Sequence, residues 1–63
     1  MRFYIDIRSD GDEQEEIWVN STCIMRTSHD EHGWSGMAAV RETAIAIGNA
    51  LGAEIVYSEI RED

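Results

Sequence analysis

From Phe3 to Arg8 the chain alternates, with Phe3, Ile5 and Ile7 on one side and Tyr4, Asp6 and Arg8 on the other. A period of two in β-branched and aromatic residues predicts a strand with one buried face. Ser9-Asp10-Gly11-Asp12 then supplies turn residues, with Gly11 able to take a positive φ. A second strand is expected from Glu16, with Ile17, Val19, Cys23 and Met25 facing inward and Trp18, Asn20 and Thr22 facing out. The two strands pair most simply as an antiparallel hairpin.

Residues 27–35 show no periodicity and read as a loop, and Ser35 is a plausible N-cap for a helix beginning near Gly36. Along that helix Met37, Val40, Ala44, Ile47 and Leu51 recur at three- and four-residue spacing, drawing one apolar stripe. Gly52 sits where helices commonly end. Gly48 lies beside the stripe, where it costs about 1 kcal/mol relative to Ala, so close packing of helix on sheet is its expected reason. A last strand follows over roughly residues 53–60, its inward face left open by the pattern. The predicted fold is one acidic α+β domain over residues 1–63. Its order is ββαβ, a three-stranded antiparallel sheet (order 2-1-3) with one helix on one face. The other sheet face, with Tyr4, Trp18 and either Tyr57 or Val56, is expected to stay open as a surface for a partner or a second copy, giving a monomer or homodimer.

Charge changes the picture most. Thirteen Asp and Glu stand against five Arg and no Lys, for a formal net charge of −8. Such a field repels nucleic acid and anionic membranes and favours encounter with basic surfaces. Part of it serves solubility, although a surface built only for that purpose mixes both signs. With 43% hydrophobic residues the chain is too apolar to be a disordered acidic tail. The start, Met1-Arg2-Phe3-Tyr4-Ile5-Asp6, lacks the apolar region of a signal peptide, and no apolar run reaches the roughly 18–20 residues of a membrane span. Cys23 is the only cysteine, so no disulfide forms within the chain. These features lead to the expectation of a soluble, cytoplasmic protein.

Four groups of residues are candidates for chemistry. The first is Asp10, Asp12, Glu13, Glu15 and Glu16, five acids in seven residues, extended by Asp30 and Glu31. Like charges this dense repel one another. They suit either a charged hairpin tip that discourages edge pairing or a decoy for a phosphate backbone. The second, His29-Asp30-Glu31-His32, offers metal-ligand types, but in no established zinc spacing. The third, Cys23 with His29 or His32, lacks an orienting third group and reads as a core thiol. The fourth is the pair Trp18 and Trp34, with Trp18 expected partly exposed at an interface and Trp34 covering the core. No catalytic set is expected, and no cofactor.

In size and in the acids Asp10, Asp12, Glu13, Glu15, Glu16, Asp30 and Glu31, the chain resembles the small acidic inhibitors encoded by bacteriophages, particularly anti-CRISPR proteins that imitate DNA. The resemblance covers the whole chain in size and charge and no stretch in motif. It implies a non-enzymatic inhibitor acting in the bacterial host's cytoplasm. A DNA-mimicking carboxylate face would occupy the basic, nucleic-acid-binding surface of a CRISPR effector complex or similar protein, without touching nucleic acid or membrane. An acidic antitoxin or small regulatory or assembly subunit is the alternative, and a metal-binding protein using His29 and His32 the second alternative.

Overall fold

The computed structural model of the chain describes residues 2–61. Within them β1 (Tyr4–Ser9), β2 (Gln14–Val19) and β3 (Thr22–Ser28) are followed by α1 (His29–Leu51) and β4 (Glu54–Glu59). The sheet has the order β3-β2-β1-β4. β1 pairs antiparallel with β2, and β2 with β3, whereas β4 pairs parallel with β1. The α+β class with one helix is as expected, and the three-stranded antiparallel sheet is corrected to a four-stranded mixed one.

One turn accounts for both differences. The second strand does not run on to Met25 but reverses at Asn20-Ser21, so that Val19 pairs with Thr22. Asn20 takes a φ of 55°, a left-handed conformation that Asn tolerates better than most residues. Its side-chain Oδ1 accepts from the Tyr4 N–H at 3.0 Å, and its own N–H donates to the Tyr4 carbonyl at 2.9 Å. The turn is therefore fastened to β1. The additional reversal makes β3 run with β1, and the strand that follows the helix then returns parallel to β1 rather than antiparallel.

The core lies between α1 and the sheet face formed by Ile5, Ile7 and Ile17, with Met37 buried from the helix and Val40, Ala44, Ile45 and Ile55 packed around them. Gly48 is buried at the closest approach. A Cβ built on it would stand 2.6 Å from Ile55 Cδ1 and 3.0 Å from Ile5 Cγ1. Only glycine lets the helix sit this low, which explains a residue that weakens the helix locally. The helix seats Gly48 rather than Ile47 against the sheet. Ile47 and Leu51, expected in the core stripe, are instead 52% and 61% exposed.

The helix begins earlier than Gly36. Ser28 is its N-cap, with Oγ accepting from the Glu31 N–H at 3.3 Å. One turn forms before Gly33, at φ 69° and ψ 169°, interrupts the helix, which then resumes through Leu51. Gly52, at φ 70°, closes it. The expected loop over 27–35 is thus the end of β3 and a kinked first turn. Trp34 is 58% exposed and stacks on His29 with ring centroids 4.2 Å apart, so it does not cover the core.

Candidate functional site

The β1–β2 loop turns Asp10 onto its own backbone. Asp10 Oδ1 accepts from the N–H groups of Asp12 at 2.8 Å and Gln14 at 3.1 Å. These two bonds, that of Asp12 first, hold its carboxyl below the usual Asp range. Gly11, at φ 78°, makes the bend. The ordered loop presents Asp12 and Glu13 to solvent.

Glu15 and Glu16 behave differently because they lie within β2 and alternate across it. Glu15 shares the helix side with Ile17, where its Oε2 accepts from Arg41 Nη1 at 2.7 Å. Its Oε1 is buried and has no hydrogen-bond partner among the described residues. Glu16 lies on the outer face, where it accepts from Trp18 Nε1 at 3.0 Å and pairs with Arg26 at 3.2 Å. Neither side chain is more than 15% exposed. Of the five clustered acids, these two are committed to the fold.

The outer face carries Tyr4, Trp18 and Val56 as expected, Tyr4 being 42% exposed, and a chain of polar contacts runs across it. Ser58 Oγ donates to Asp6 at 2.7 Å, Asp6 pairs with Arg8 at 2.9 Å, and the Arg8 guanidinium lies 3.9 Å over the Trp18 ring. Trp18 then leads through Glu16 to Arg26. This chain of contacts crosses β4, β1, β2 and β3 in turn. It uses Trp18, half-buried as expected, as a bridge within the sheet. Register places Val56 opposite Asp6 on this face, whereas Tyr57 stands opposite Ile7 on the helix side and is 67% exposed.

Folding brings the two acidic groups of the sequence together. Gln14 pairs with Ser28, and the His29 N–H donates to the Glu13 carbonyl at 2.9 Å, so the β1–β2 loop lies against the start of the helix. Asp10, Asp12, Glu13, Asp30 and Glu31 are all exposed at this end of the molecule. Among the described residues none of them forms an ion pair. Glu59 joins them, because β4 runs parallel to β1 and ends beside Ser9, with the Ile60 N–H donating to the Ser9 carbonyl. Sequence reasoning missed Glu59, since its place depends on the parallel register. Asp30 and Glu31 also suit the positive end of the helix.

The histidines do not act as a pair. His32 Nδ1 accepts from the Ser28 N–H at 3.2 Å, which commits that nitrogen to the helix cap. The group that approaches ligand spacing is Glu13, His29 and Asp30, whose candidate atoms lie within 4.8 Å of one another. It is mostly exposed and stands at a helix N-terminus, whose field disfavours a cation. Cys23 pairs with Trp18 on the outer face rather than packing in the core, because a β-bulge at Ile24 shifts the alternation of β3. No helix among the described residues is long and apolar enough to cross a membrane. Comparison with protein-family models, with curated proteins and with solved structures finds no match.

Proposed function

We propose that the protein is a non-enzymatic inhibitor that binds the basic, nucleic-acid-binding surface of another protein, such as a CRISPR effector, through its acidic end. The observation that carries this reading is the separation of its carboxylates. Glu15, Glu16 and Asp6 are matched with Arg41, Arg26 and Arg8 of the same chain. Asp10, Asp12, Glu13, Asp30, Glu31 and Glu59 gather at one end without such matches among the described residues. Unscreened like charges destabilise a compact chain, so gathering them at a built loop favours an external cation as their counterpart.

Magnitude limits what this end can imitate. Duplex DNA carries one charge per about 1.7 Å of axis, so six carboxylates supply the charge of roughly 10 Å of duplex. That is less than one helical turn. The matching target is a local phosphate-binding site, such as the place where a protein grips the backbone beside a recognised base step, rather than a whole groove. The first residues to carry the contact are Asp12, Glu13, Asp30 and Glu31, since Asp10 is partly engaged by its own loop.

The test is a pull-down from bacterial lysate with immobilised protein, eluted by rising salt and, separately, by duplex DNA. The reading expects a nucleic-acid-binding protein that leaves at moderate salt and is displaced by DNA. Captured proteins that DNA does not displace would refute the decoy.

A further inference from the structure

We propose that the protein pairs with a second copy of itself through the open edge of β3 and the apolar groove beside it. The groove, about 330 Å³, runs between β3 and α1. Its walls include Ile17, Ile24 and Met25 from the sheet and Val40, Ala44 and Ile47 from the helix, with no charged residue among its lining. It arises from two features already described. The bulge brings Ile24 and Met25 together at the edge, and the seating of Gly48 leaves Ile47 beside the core rather than in it. Ile24 is 58% exposed and Ile47 52% exposed.

The adjoining strand is equally unfinished. β3 is hydrogen-bonded to β2 on one side and, among the described residues, to no strand on the other. Exposed edges of this kind template pairing with another strand. Thr22–Ser28 contains one charged residue, Arg26, and no acid. The opposite edge, β4, begins with Glu54 and ends with Glu59. In a chain of net charge −8, the β3 edge is therefore where two like-charged copies can meet.

Symmetry selects the second copy as the occupant. An antiparallel β3–β3 pair about a two-fold axis completes both edges and makes one eight-stranded sheet, the two grooves facing each other on the helix side. Because the strands run oppositely, the acidic end of one copy lies far from that of the other. The seven residues of β3 span about 23 Å, against a Debye length of about 8 Å at physiological salt, so repulsion between the acidic ends is largely screened. A basic partner would instead be drawn to the acidic end, away from this acid-free strip.

Area sets the strength. A strip about 23 Å long on a molecule whose shortest dimension is 16 Å offers a flat footprint of roughly 400 Å², below the ~800 Å² per partner of a standard interface. The pairing is therefore a reversible, concentration-dependent dimer, and both acidic ends stay free in it.

Sedimentation equilibrium on the purified chain tests the proposal, over a range of concentrations up to the millimolar. The weight-average mass should climb from 7.1 kDa towards twice that value. Ile24→Lys should hold it at the monomer value at every concentration. This change lowers the net negative charge, so added repulsion cannot explain the loss. Ile47→Lys, from the other wall of the groove, should do the same, and circular dichroism should show both variants folded. If Ile24→Lys does not fold, the decision passes to Ile47→Lys. Tyr57→Lys, on the β4 edge, should dimerise like the parent. A parent that stays monomeric throughout, a folded groove variant that still dimerises, or loss of the dimer only in Tyr57→Lys would overturn the proposal.

Discussion

Arg41 Nη1 donates to Glu15 Oε2 at 2.7 Å, joining the middle of the helix to the second strand. The contact neutralises an acid that is adjacent in sequence to the exposed cluster but lies on the helix side of the sheet. Removing the guanidinium should leave the Glu15 carboxylate with a buried Oε1 and no cation. An exposed pair contributes about 0–1 kcal/mol, and breaking a fully buried one costs about 3–5 kcal/mol. At 35% and 15% side-chain exposure, Arg41→Ala should fall between, at about 2 kcal/mol by urea unfolding. Glu15→Gln in the same chain should recover part of the loss; an additive double variant would contradict the pairing.

Gly48 predicts a case in which a better helix former destabilises the protein. Alanine gains about 1 kcal/mol of propensity, whereas overfilling a packed site costs about 1–3 kcal/mol. The new Cβ would meet Ile55 Cδ1, which can rotate away, and the buried Ile5, which has less freedom. Gly48→Ala should therefore lose about 1 kcal/mol net. Increased stability in thermal unfolding would show that the helix can lift from the sheet without cost.

Much of this architecture was legible in the residues, and the failures have local causes. The first strand, the existence of the helix and its end at Gly52 lie where the pattern puts them, because each depends on short-range periodicity. The Asn20-Ser21 turn was missed since Asn20 fitted the outward phase of a strand, and its positive φ is held by contacts with Tyr4 that no local pattern encodes. That one omission reversed the polarity of the last strand. The helix start had a readable signal: Ser28 and Glu31 have the spacing of a capping box, although His32 rather than Glu31 accepts from the Ser28 N–H. For the acidic site, the pattern predicts the second strand only from Glu16 and groups Glu15 with the exposed acids, although Glu15 lies within the strand. Its engagement with Arg41, 26 positions away, required the fold.

The outer-face chain should be cooperative across the sheet. Trp18→Phe keeps an aromatic ring beneath Arg8 but removes the donor to Glu16, and should cost about 1 kcal/mol. A double-mutant cycle between Arg8→Ala and Trp18→Leu should return a coupling of about 0.5–1 kcal/mol, measured by denaturant unfolding. A coupling of zero would remove the cation–ring contact from the account.

Acid should loosen the β1–β2 loop through Asp10. Its folded carboxyl holds a proton less readily than the unfolded chain does. The stability it contributes is therefore complete above the unfolded value near 4 and is lost as pH falls through the lower, folded value. The protection of the Asp12 and Gln14 amides, taken relative to their intrinsic exchange rates at each pH, should fall over that window in the parent. Asp10→Ala should exchange quickly at these amides even at neutral pH; unchanged protection would show that Gly11 and strand pairing order the loop without it.

The division of the carboxylates into a free end and an internal set is tested most directly by neutralising each set separately. Salt-dependent binding to a captured, DNA-displaceable partner is then compared for the parent and two variants. Asp12→Asn/Glu13→Gln/Asp30→Asn/Glu31→Gln should keep its fold and lose most of its affinity, with a flatter dependence on salt. Glu15→Gln/Glu16→Gln should change unfolding stability while the folded protein binds as the parent does. Full binding by the first variant, together with loss of binding by a folded second variant, would contradict the account.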